Sequence, residues 1–248
     1  LCSDDDVFCD MRVPAGDGYD LELTTFGELD IRETHPDRET LLGAYPPGSC
    51  DILACHGRLL GRRISRILAD FTDNGRIKMS SLMPADLTAL LRSGGEVKTT
   101  ITGVMGDSGL ITPRYQLQLT GAAREPHVAS KAAFRELLLS REIYQSMSHY
   151  AISSGSFFWG MNIGIDARDL VPPFLPVLRG EDITFSRLIT TASGNARIGS
   201  VPAIIYHNPV EKRRFEEDAA LIARPETCFM LYMLMNDFRR PLHGGSTR

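Results

Sequence analysis

The sequence predicts an α/β protein, and three patterns carry that prediction: a β-branched stretch from Val97 to Val104, an apolar stretch from Ala203 to Tyr206, and helix-period runs separated by Gly- and Pro-rich breaks. With 248 residues, 43% of them hydrophobic and 23% charged, the chain can bury a core without disulfides or a structural metal. No internal repeat or long linker divides it. Residues 1–240 therefore read as one region, and 241–248, with Gly244-Gly245-Ser246, as a flexible tail.

In chain order, Leu1-Cys2 and Val7-Phe8-Cys9 are apolar strand material interrupted by Asp4-Asp5-Asp6. The rest of the first 45 residues reads as irregular, with a turn at Pro14 to Gly18 and a short strand at Tyr19 to Leu23. Pro46-Pro47-Gly48 breaks the chain before a helix from Ile52 to Leu68, capped by Asp51, with Leu53, His56, Leu60 and Ile64 on one face. Pro84 opens a shorter helix that Gly94-Gly95 ends. The strand from Val97 leads to a turn at Gly106-Asp107-Ser108-Gly109. Tyr115, Leu117 and Leu119 then alternate with Gln116 and Gln118, the pattern of a half-buried strand.

The clearest helix runs from Pro126 to Met147, with Phe134, Leu137, Leu138, Arg141 and Tyr144 on its apolar face. From Tyr150 to Gly164 small residues surround Phe157-Phe158-Trp159-Gly160, which suits a strand and loop that approach a ligand, since glycine lets backbone come close. Phe157 and Phe158 read as core. Pro172-Pro173-Phe174-Leu175-Pro176 is a stiff extended passage into Arg179-Gly180-Glu181-Asp182, and a helix follows from Ile183. The strand from Ala203 ends at His207, and Asn208-Pro209 marks a last helical region, rich in charge through Asp218. The apolar run Phe229 to Met235 is too short to span a bilayer and reads as buried against the core, with a partner-chain interface as the alternative.

Net charge is −4 and the basic residues are scattered, so no nucleic-acid surface is expected; Lys212-Arg213-Arg214 reads as a solvated helix face. Five cysteines without paired short spacings point to reduced thiols and a cytoplasmic setting, and Cys55-His56 reads as buried structure rather than a ligand pair. The first residues carry neither the basic region nor the apolar run of a secretory signal, and no transmembrane segment is expected.

Two acidic groups carry the chemistry. Asp4 and Asp6 fall on the same side of an extended backbone and, at a strand end, suit a divalent metal that holds a phosphorylated substrate; a solvated terminus is the plainer alternative. Glu181 and Asp182 fall at a helix N-terminus, whose field favours the ionised form that a general base needs, or else serve only as first-turn acids. Arg179 beside them favours an anion-handling site. The short Gly106-Asp107-Ser108-Gly109 match to serine proteases has no histidine segment to go with it and reads as a turn.

The order of these motifs, Asp4-Asp5-Asp6 after an apolar strand and Arg179-Gly180-Glu181-Asp182 opening a helix far downstream, resembles A-type glycosyltransferases of the inverting, family-two-like kind. The Pro-Pro-Phe-x-Pro-x-x-Arg-Gly-Glu-Asp stretch is similar to poorly characterised bacterial glycosyltransferase-like proteins, and the likeness covers Leu1 to about Pro209. It implies a mixed sheet flanked by helices. In that superfamily the strands and helices that hold the nucleotide precede the acidic triple, so the likeness implies the C-terminal portion of the fold, with the N-terminal nucleotide-binding half missing or supplied by a partner segment or chain.

The resemblance further implies Mn2+ or Mg2+ held by Asp4, Asp6 and His207, with Asp5 less central, and a nucleotide-sugar donor near Asp4, Asp5, Asp6, Trp159 and Gly160. It implies that Asp182 accepts the proton of a carbohydrate or other hydroxyl acceptor, with inversion at the sugar. Glu181 would position that acceptor and Arg179 would balance phosphate charge, and the two acids could exchange roles. A satisfied strand-end histidine is the other reading of His207. Alternatives are a metal-dependent phosphohydrolase or nucleotidyltransferase, and a non-catalytic carbohydrate-binding or scaffold protein.

Overall fold

Two long strands organise the molecule because their sequences can be buried on both faces. The structure, a computed structural model, describes residues 2–3, 7–12, 20–24, 33–45, 51–74, 77–79, 84, 87–88, 90, 94–153, 162–169, 171–174, 181–219, 230–231 and 234–235. Strand β6 (Glu96–Asp107) is buried from Val97 to its end, and β10 (Ala196–His207) is almost as enclosed. They pair in parallel, as β-branched runs without polar alternation do at the centre of a covered sheet.

The remaining strands are β1 (Cys2–Ser3), β2 (Val7–Arg12), β3 (Leu21–Thr24), β4 (Glu33–Thr34), β5 (Ile77–Lys78), β7 (Glu142–Ser146), β8 (Tyr150–Ser153) and β9 (Asn162–Ile165). All join one mixed sheet with the order β1-β9-β6-β10-β8-β3-β5. The first half of β6 pairs with β9 and its second half with β7, both antiparallel, and β4 pairs with β7. The first half of β10 pairs with β8 and its second half with β2. The expected mixed sheet flanked by helices is present.

Helices cover both faces. The helices with described bounds are α1 (Arg38–Ala44), α2 (Ile52–Gly57), α3 (Ile64–Asn74), α4 (Arg114–Leu117), α5 (Gly121–Val128), α6 (Lys131–Leu139) and α7 (Glu181–Ala192), and residues 84, 87–88, 90, 230–231 and 234–235 are helical as well. Ile64, Ile67 and Phe71 of α3 pack with Tyr150 and Ile152, whereas Phe185 and Ile189 of α7 pack with Ala151 between them in sequence. Alternate residues of a strand face opposite sides, so α3 and α7 lie on opposite faces of the sheet.

Several sequence expectations are corrected. The region before residue 45 is more ordered than expected: it contributes four strands and α1, capped by Asp37, whose Oδ1 accepts from Thr40 N at 2.8 Å. The helix from Ile52 is two helices, and Leu53, placed on the apolar face by its spacing, is 65% exposed. Asp51 does cap α2, accepting from Ala54 N at 3.1 Å.

The half-buried strand at Tyr115 to Leu119 is instead helix α4. The long helix from Pro126 to Met147 is replaced by α5, which contains Pro126, then α6, then β7. Ser130 starts α6 by accepting from Ala133 N, and the extended backbone at Ser140 ends it. Beyond it, pairing with β6 and burial of Ile143 beside Val104 and Ile205 outweigh local helix preference.

The helical region expected from Asn208-Pro209 through Asp218 is not present among the described residues 208–219, although 230–231 and 234–235 are helical. This segment has Arg214 bridging to Ser140 and Phe215 buried against Arg141. Met230 and Leu234, expected to be buried, are 53% and 52% exposed. The tail at 241–248 lies outside the described residues.

Candidate functional site

The carboxyl ends of β6 and β10 meet side by side, the place where open α/β sheets receive ligands. Gly106 lies opposite His207 in the parallel register, and its φ of +108° is open to glycine but strained for other residues. A Cβ at this position would lie 2.3 Å from the His207 carbonyl oxygen. Glycine thus permits the close approach.

Asp107 and His207 end the two strands. The Asp107 carboxylate accepts from Gly109 N at 2.7 Å, which tightens the turn, and from Arg141 through both Nε at 3.2 Å and a terminal nitrogen at 2.9 Å. Arg213 approaches its other oxygen at 3.5 Å. His207 Nδ1 donates to the Asp107 carbonyl oxygen at 2.5 Å. In the neutral ring that bond leaves Nε2 with the lone pair, the arrangement common among metal-binding histidines.

A cavity of about 260 Å³ opens here, lined by Asp107, Arg141, His207, Lys212 and Arg213 among others. The basic residues of 212–214, read from sequence as a solvated helix face, instead stand on an irregular segment at the mouth of this cavity. Arg141, whose spacing predicts helix-face packing, turns inward as the partner of Asp107. The one sequence signal for this arrangement was a Gly-Asp turn directly after a buried β-branched strand.

Of the residues expected to form the site, Asp4, Asp5, Asp6, Trp159, Gly160 and Arg179 lie outside the described residues. The strands on either side of the acidic triple are described. Ser3 pairs with Asn162, and Val7 pairs with His207. Glu181 and Asp182 are half-buried in the first turn of α7, where Asp182 Oδ1 accepts from Ile183 N at 2.8 Å.

After a tight turn at 193–195, α7 packs back along β10, so its N-terminus points toward the carboxyl end of that strand. Twelve helical residues rise about 18 Å whereas twelve strand residues extend about 40 Å, so Glu181 and Asp182 reach roughly half the length of β10.

A second acidic group, Glu96, Asp166 and Asp169, has carboxylate oxygens within 4.8 Å of one another. Lys98 Nζ already fills it, at 3.0, 2.8 and 2.6 Å from these three residues, and Arg168 binds Asp166 and Glu96 from outside. Glu96 begins β6, so this group lies at the opposite end of the strand from Asp107. It is an ion-pair network. No helix among the described residues is long and apolar enough to cross a membrane. No family model, curated protein or solved structure matches the chain.

Proposed function

We propose that this chain carries the catalytic portion of a metal-dependent glycosyltransferase, moving a sugar from a nucleotide-sugar donor to an acceptor hydroxyl with inversion. The observation that carries the reading is the pairing of Val7 with His207. Asp6 precedes Val7 by one peptide bond.

Asp4, Asp6 and His207 would hold Mn2+, for which imidazole is a reasonable ligand, and the two carboxylates alone could serve Mg2+. The ion would supply Lewis-acid charge at the departing diphosphate. Lys212 and Arg213 line the adjoining cavity and favour an anionic group there. Asp182 takes the acceptor proton as the acceptor oxygen bonds to the anomeric carbon and the bond from that carbon to the diphosphate breaks. Glu181 positions the acceptor.

The test uses the natural full-length polypeptide with Mn2+ and a panel of nucleotide sugars. Asp6→Ala should lose metal-dependent donor binding, whereas Asp182→Asn should keep it and lower transfer by about 100-fold or more. Unchanged transfer in both variants rejects the assignment. Release of phosphate without a glycosylated product would favour a phosphohydrolase.

A further inference from the structure

Met147, Ser148 and His149 form the short connection between β7 and β8. The residues on either side of Ser148-His149 anchor it: Met147 and Tyr150 are each 1% exposed and sit in core clusters on opposite faces of the sheet. Ser148 and His149 are themselves only half-buried, so solvent reaches them. A connection held at both ends presents its side chains in a fixed geometry, as a reactive group requires.

Glu22 is the third member. It pairs with Ala151 in the parallel register of β3 on β8. Registered partners project to the same face, and Ala151 packs with Phe185 and Ile189 of α7, so the Glu22 carboxylate stands on the α7 face whereas Leu21 and Leu23 turn to the other. There Glu22 Oε2 lies 2.5 Å from His149 Nε2, and Ser148 Oγ lies 2.9 Å from His149 Nδ1.

The chemistry of the three groups fixes the direction of each bond. An ionised carboxylate only accepts, so Nε2 carries the ring proton and donates to Glu22. In the neutral ring Nδ1 is then the acceptor, and the Ser148 hydroxyl is its donor. A hydroxyl that donates to an imidazole, itself oriented by a carboxylate, is the arrangement that activates a nucleophile. The base works here through Nδ1, and either ring nitrogen serves once the other is held protonated.

We propose that Ser148 is a nucleophile for neutral carboxylic esters, with His149 as its base and Glu22 as the residue that positions the ring. Ser148 Oγ bonds to the ester carbonyl carbon as its proton passes to His149 Nδ1; the bond from that carbon to the alcohol oxygen breaks, and the departing alcohol takes the proton from Nδ1. Water then reverses the steps: it gives a proton to Nδ1, bonds to the acyl carbon and releases the acid, and the proton returns to Oγ. The Glu22 charge behind the ring disfavours anionic acyl groups. No metal takes part, and the proposal stands independently of the transferase reading.

The test mixes the natural full-length polypeptide with p-nitrophenyl acetate in the presence of EDTA, follows nitrophenol release and locates the acetyl group by peptide mass mapping. The parent should carry acetyl on Ser148. Ser148→Ala should lose it, Ser148→Cys should still take up acetyl at position 148, and His149→Gln should slow the acetylation by about 100-fold or more. The amide of Glu22→Gln can donate to Nε2 and so favours the tautomer with the proton on Nδ1. Ring 15N NMR should therefore find the His149 proton on Nε2 in the parent and on Nδ1 in Glu22→Gln, where acetylation is slowed as well. Ser148 is half-buried, so its two variants keep the test decisive if Glu22→Gln does not fold. Acetylation of Ser148 no faster than that of other serines in the chain, equal rates in the parent and His149→Gln, or a ring proton on Nδ1 in the parent overturns the proposal.

Discussion

His207 Nδ1 donates to the carbonyl oxygen of Asp107, and this bond at 2.5 Å ties together the ends of the two central parallel strands. It fixes the ring and its tautomer, as carbonyls that accept from the far ring nitrogen do for histidines that bind metals. His207→Ala should lower the Mn2+ affinity of the full-length chain at least tenfold, since losing even an outer partner of such a ligand costs roughly 10- to 100-fold. Water-proton relaxation titrations with Mn2+ measure this, and equal affinity in parent and variant would remove His207 from the metal site.

Gly106→Ala should destabilise the fold although it adds a single methyl group. The new Cβ would meet the His207 carbonyl oxygen at 2.3 Å, and the φ of +108° would be strained as well. Backbone strain and overpacking together cost about 2 to 4 kcal/mol. Urea denaturation that leaves the variant within about 0.5 kcal/mol of the parent, the range of neutral surface changes, would contradict the close approach.

The strands at the strand-end site were legible because β6 and β10 carry their burial in their own residues. Val97 to Val104 and Ala203 to Tyr206 need no distant information to be read as enclosed strands. Tyr115 to Leu119 misled because a short alternation fits either period, and only packing of Tyr115 with Val104 and Ile205 decides it. Arg141 was illegible for a related reason: nothing local shows that Asp107, 34 residues earlier, draws it inward. The register of Val7 on His207 joins segments 200 residues apart and is written in no local pattern.

Lys98→Met should turn the ion-pair network into a site that responds to calcium. Burial opposes the Lys98 charge, but hydrogen bonds to Asp166, Asp169 and Glu96 outweigh it and raise the pKa of the amine. Arg168 and then Lys98 hold Asp166 well below the usual carboxylate range. Because this carboxylate's pKa is lowered by folding, its stabilisation is fully present above about pH 4 and is lost as pH falls further. Removing the buried cation should cost about 3 to 5 kcal/mol. Added Ca2+ should raise the melting temperature of the variant more than that of the parent, and an equal response in both would show that the three carboxylates do not converge.

His56 should make stability depend on pH in a range where ordinary carboxylates are already ionised. The ring is 2% exposed, its Nδ1 lies 2.6 Å from Thr100 Oγ1, and its Nε2 has no hydrogen-bond partner. Burial lowers its pKa to about 4. The unfolded chain takes up the proton near pH 6.5, so between that value and the folded pKa the unfolded state binds more protons and stability is lost as pH is lowered. The same linkage gives a loss of about 2 kcal/mol between pH 7 and pH 5 from this residue. Gly164 leaves the ring little room to escape, since a Cβ there would lie 2.9 Å from Nδ1. Urea denaturation of the parent and His56→Gln at both pH values isolates the contribution, because glutamine does not titrate. Parent and variant losing the same stability over this range would show that His56 is not held neutral by burial.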